Sequence, residues 1–159
     1  APQLPFHIAT DLREHLEASC DIGSSRSTLI EDFPALASSL QSLPEGVWWY
    51  SSPECDQAVA GVEGDGEAGV VASREHFANF GFSEPDAVMA ARALAMASDL
   101  ASEAGPFGEY RSLLVVGHCD LFHAMLRHFE VADKWLRNAE LVTVEAGCFK
   151  PAGLGHDQR

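Results

Sequence analysis

The sequence is poor in cations, in paired cysteines and in long apolar runs, and each shortage excludes something. Lys and Arg total 10 against 24 Asp and Glu, a formal charge of -14 over 159 residues. Such a field repels nucleic acid and anionic membranes, so neither is an expected partner. No apolar run reaches the length that crosses a bilayer. The opening stretch, APQLPFHIATDLREHLE, has no basic start and no apolar core, so it does not read as a secretion signal. It begins on Ala1 rather than Met, which suggests a start upstream or a processing event. Cysteines 20, 55, 119 and 148 form no CxxC pair. That argues against a zinc ribbon or a disulfide scaffold, and for reduced thiols in an intracellular, cytoplasmic compartment. No internal repeat is present.

What remains is ordinary globular composition, 47% hydrophobic and 21% charged, which suits one domain over residues 1–150 with an irregular tail, 151–159. LPFHIAT (4–10) reads as a short strand. Thr28 and Glu31 have capping-box spacing, which predicts a helix starting near there, with Pro34 early in it and Pro44 closing the region. GVWWY is expected to pack against the body of the domain. Residues 56–75 hold four glycines and several acids without period, and read as a solvated loop insertion. From Ser83, a plausible N-cap, to Gly105 the chain reads as a helix with Met89, Ala93, Met96 and Leu100 on one face. SLLVVG then reads as a strand buried on both faces. Leu121, Phe122, Met125, Leu126 and Phe129 mark the face of another helix, and 139–147 alternates like a last strand. Strands alternating with helices predict an α/β fold with a mostly parallel sheet flanked by helices.

The informative corner is RSLLVVGHCDLFHAML. His118 stands where a strand is expected to give way to a helix, and helix N-termini at such corners suit a phosphate. The imidazole then helps hold or protonate a phosphoryl group; the plain alternative is a histidine satisfied by backbone. Cys119 is a second candidate, as a nucleophile, but a nucleophile elbow wants Gly two residues on, and position 121 is Leu. A metal set of His118, Cys119, His123 and His128 fails on helical spacing, since only Cys119 and His123 share a face.

LLVVGHCDLFHAML resembles the second-histidine motif of the histidine phosphatase superfamily, the phosphoglycerate mutase-like proteins. Three other stretches resemble that family in the right order: DLREHLEASCDIGSSRSTLIEDFP, EPDAVMAARALAM and WLRNAELVTVE, with GVWWY in keeping. The resemblance covers most of the chain apart from 56–75 and the tail. It implies a phosphoglycerate mutase-like fold and phosphoryl hydrolysis or transfer on a small phosphorylated metabolite, through a phosphohistidine, with no cofactor and no metal. His118 matches the second histidine and Glu14 the acid that protonates the leaving oxygen. Arg92, on the helix before that histidine, and Arg13, beside the acid, are the cations that would contact the phosphoryl group. Each has a simpler reading: Glu14 a solvated carboxylate, Arg13 a partner of Asp11 or Glu17, and Arg92 a helix-surface cation off the Met89–Met96–Leu100 face. His15 and His123 read as structural, and Trp48, Trp49 and Tyr50 as core before substrate mouth.

The family's nucleophile lies in an Arg-His-Gly motif, and this sequence contains none; His7, His15, His76, His123, His128 and His156 all lack that context. The Ser-Pro-Leu-Arg-Arg stretch is missing too, and SSPECD (51–56) shares only Ser-Pro. The expectation is a C-terminal portion, incomplete at its N-terminus by at least a strand–helix–strand unit of about 30 residues, and inactive alone. A non-catalytic pseudoenzyme that binds a phosphate ligand or a protein partner is the alternative. A Cys119 hydrolase is a third reading. An incomplete sheet would also expose apolar edges and make the chain associate with itself.

Overall fold

The computed structural model describes residues 5–50, 52, 66–129, 131 and 135–150. They belong to two compact units, Ala1–Thr10 with His15–Glu84, and Asp11–Glu14 with Pro85–Arg159.

In the first unit helix α1, Arg26–Asp32, starts one turn earlier than the capping-box spacing suggests. Ser25 is the N-cap: its buried Oγ accepts the Thr28 N–H at 3.2 Å, satisfying a first-turn donor. Pro34 forbids continuation, because the residue before a proline is pushed out of the helical region. The chain passes through a 3-10 turn, Pro34–Leu36, into a single further turn, α2, Ala37–Leu40. Helix α3, Gly66–Phe80, corrects the second half of the expected loop; residues 56–65 lie outside the described set. Its glycines hide it from a propensity reading, yet Gly66, Gly69, Val70 and Ser73 recur at helical spacing and are the buried face. Small residues are needed there. A side chain at Gly66 would run into the Glu45 carbonyl, and Ser73 Oγ accepts the Trp49 indole N–H at 3.3 Å. The helix stops at Gly81, whose φ of +60 allows its N–H to bond back to Phe77 O at 2.8 Å. Leu16, Ile22, Trp49 and Val70 make the core, with Trp48, Tyr50, Phe77 and Phe82 packed around it. The expectation for GVWWY therefore holds for its described residues.

In the second unit α4, Asp86–Ala101, begins after Pro85 rather than on Ser83 and buries Arg92, Ala93, Met96 and Ala97. It packs on α5, Cys119–Leu126, which buries Leu121, Met125 and Leu126. His118, at φ -112 and ψ 154, is the N-cap of α5. Phe129 and Phe149 form an antiparallel bridge with rings 5.8 Å apart, and Lys150 N–H donates to His128 O at 2.7 Å.

The mostly parallel sheet, and with it the α/β class, is overturned. The described residues are helical, and their one β-type pairing is that isolated bridge. The expected strands are not laddered. Residues 5–9 run irregularly, and Phe6 O accepts a side chain, Ser39 Oγ at 2.9 Å, instead of a strand. Residues 112–117 and 141–145 are extended, but Leu113, Leu114, Val116, Leu141 and Val144 are exposed, and only Val115 and Val142 are half-buried. A strand is defined by its neighbour: each inward-facing reading of Leu or Val needs a second segment about 4.8 Å away, and none of the described segments supplies it. The expected tail, 151–159, lies outside the described residues.

Candidate functional site

The second unit brings Glu14 and His118 together. Residues 11–14 come in beside the chain that leads to α5, where Leu12 O lies near Gly117. A Cβ there would lie 3.5 Å from Leu12 O and, more tightly, 3.2 Å from the Phe122 ring. His118 Nδ1 then meets Glu14 Oε2 at 2.8 Å. Both side chains are partly open, 49% exposed for His118 and 31% for Glu14. With Nδ1 donating to the carboxylate, the ring is held in one orientation and Nε2 is the nitrogen turned to other work. Carboxylate and imidazole together can pass a proton to or from a ligand atom within hydrogen-bond reach.

Arg92 is not a phosphate ligand in this arrangement, and it is not a surface cation either. It is 7% exposed, and its guanidinium donates to three main-chain carbonyls: Nη1 to Asp11 O at 2.8 Å and Arg13 O at 2.9 Å, Nη2 to Glu14 O at 3.1 Å. It thereby fixes the segment that presents Glu14. The signal was in the sequence, since Arg92 and Met96 are four apart and share a face. Arg13 Nη1 lies 3.7 Å from Asp11 Oδ1, the pairing set against the phosphate role. The first turn of α5 offers N–H groups and a partial positive charge, but Asp120 adds a carboxylate there.

Cys119 is exposed, and its thiol donates to Asp120 Oδ1 at 3.3 Å. That hydrogen bond, then burial, then the charges of Asp120 and Glu14 push the thiol pKa up. A nucleophilic cysteine needs the opposite shift. His118, Cys119, His123 and His128 do not converge as metal ligands among the described residues. His123 instead stacks on Trp135, centroids 4.0 Å apart and 14° from parallel.

In the first unit His15 is buried, with Nε2 2.6 Å from Glu84 O and Nδ1 3.5 Å from Glu17 Oε1. Asp21 Oδ2 accepts the N–H groups of Glu17 and Ala18 at 3.0 and 2.8 Å, which closes a local turn. An open cleft of about 560 Å³ lined by Arg26, Glu31 and Glu45 also belongs to this unit, but Arg26 is already paired with Glu45 and with Leu43 O. Among the described residues no helix is long and apolar enough to cross a membrane. No family model, no curated protein and no solved structure matches the chain.

Proposed function

We propose that Glu14 and His118 are the acid and the imidazole of a site for a small phosphorylated metabolite, of the histidine phosphatase kind, in an intracellular protein. One observation carries the reading. Two residues 104 positions apart, singled out by motif, meet at 2.8 Å with the imidazole open to solvent. The reading rests on this pair and not on a sheet. In an intact site of that kind a phosphoryl group passes to a nucleophilic histidine while the acid gives its proton to the departing oxygen. The 159 residues hold no Arg-His-Gly, so this chain is proposed to bind a phosphate ester without turning it over. The absence of that motif, with Arg92 committed to backbone carbonyls, favours the pseudoenzyme form of the reading for the chain as it stands.

The test is a titration with glycerol phosphate followed by NMR at the His118 ring. The His118 Cε1–H resonance is expected to move saturably, Glu14→Gln to change that response, and p-nitrophenyl phosphate to remain unhydrolysed. A His118 resonance indifferent to the ester overturns the reading. Hydrolysis that survives His118→Asn moves any activity elsewhere in the chain.

A further inference from the structure

Residues 112–117, Ser-Leu-Leu-Val-Val-Gly, carry no charge and no proline and run extended from Arg111 to His118. Their backbone N–H and C=O groups make no hydrogen bond among the described residues. From Leu114 onward the exposure alternates as on a strand: Leu114 and Val116 are 79% and 78% exposed, while Val115 and Gly117 are half-buried; Leu113, before them, is 41% exposed. This combination is an open strand edge, which a second extended segment can complete through main-chain hydrogen bonds.

We propose that the segment pairs with itself: two copies of the chain join antiparallel across 113–117, centred on Val115. Three features favour a second copy as occupant. The segment is self-complementary, since a two-fold axis at Val115 sets Leu114 of each copy opposite Val116 of the other, apolar against apolar on one face. Charge permits it locally despite the -14 of each chain. The five residues are neutral, and the antiparallel direction carries Arg111 of each copy toward the other copy's α5 start, where Asp120 lies. The size of the contact fixes its strength. Five residues a side fall well short of the about 800 Å² per partner of a long-lived dimer, so the pairing is weak and concentration-dependent.

Sedimentation equilibrium over a hundredfold range of concentration tests this, with two double variants that touch only exposed side chains. The wild type is expected to show a reversible monomer–dimer equilibrium. L114D/V116D sets like charges opposite each other and weakens the dimer at least tenfold. L114D/V116K sets opposite charges face to face and recovers most of that loss. A chain that stays monomeric throughout overturns the proposal. So does an association that the two double variants change equally, because the antiparallel register then has no part in it.

Discussion

Each unit contains a histidine against a glutamate, and the two pairs are built for opposite ends. His15, in the first unit, is buried, with Nε2 2.6 Å from the Glu84 main-chain carbonyl and Nδ1 3.5 Å from Glu17 Oε1. Such a ring is a strut: it ties residue 15 to residue 84, next to the Glu84 N–H that donates to Leu16 O at 2.8 Å. His118, in the second unit, is half-exposed and engages Glu14 through Nδ1. The glutamates differ as well, since Glu17 is well exposed while Glu14 is partly sheltered and its backbone is held by Arg92. The chemistry of the side chains is the same, so what separates the two pairs is their surroundings: the His15 side chain is shut in beside a main-chain carbonyl, whereas half of the His118 side chain is open to solvent.

The comparison breaks most severely at Arg92. Arg92→Met keeps the apolar stem on α4 but removes five N–H donors and leaves the carbonyls of Asp11, Arg13 and Glu14 without their guanidinium. Hydrogen bonds to a charged group contribute about 1.5–3 kcal/mol each, shared here among backbone acceptors that water partly rescues, so a loss of about 2–4 kcal/mol is expected. Urea unfolding with a probe in the second unit, such as Trp135 fluorescence, reads it. The same variant should uncouple Glu14 from His118, so the ester response of the His118 resonance falls with the stability. A variant that unfolds like the wild type would show that residues 11–14 hold their place without Arg92.

The two histidines sharpen the comparison at intermediate size. His15→Ala strips a buried partner from Glu84 O and opens space beside Leu16, and is expected to cost about 1–3 kcal/mol. His118→Asn, at an exposed N-cap position where Asn is favoured, should change stability by under about 0.5 kcal/mol and abolish the ester response. Thermal melts of both variants, set beside the NMR titration, check the split. Equal destabilisation by the two would make His118 another strut.

How much of this the sequence disclosed follows from which forces are local. Helices α4 and α5 were legible because Met89, Ala93, Met96 and then Leu121, Met125, Leu126 repeat at the helical period, and that period is set within one segment. Helix α3 was not, because Gly66 is small where the Glu45 carbonyl approaches and Ser73 where Trp49 does, and smallness in a sequence looks like a loop until the approaching groups are known. The strands failed for the converse reason: Leu114 and Val116 have the composition of a strand interior, but pairing is a property of two segments, and composition reports on one. At the site, Glu14 and His118 were singled out by a resemblance, and spacing alone could not foretell that they meet at 2.8 Å. Arg92 was named for the wrong task, since a guanidinium that grips three carbonyls and one that grips a phosphate look alike in sequence.

The smallest expected effect concerns His128, which follows α5 and sets a sheltered histidine beside the half-exposed His118. Its Nδ1 is buried without a hydrogen-bond partner among the described residues, and burial, followed by the Arg127 cation, lowers its pKa below the ordinary value. The unfolded chain therefore takes up a proton on His128 at a pH where the folded chain still refuses it. Unfolding is favoured between the unfolded value, about 6.5, and the lowered folded value, so stability is intact above about pH 6.5 and declines as pH falls through that window. His128→Gln removes this one titration, and the slope of unfolding free energy against pH between pH 7 and pH 5 should flatten by a fraction of a proton relative to the wild type. Were the slope unchanged, the His128 ring would be charged and uncharged with equal ease in both states, and its buried nitrogen would have to find an acceptor when protonated.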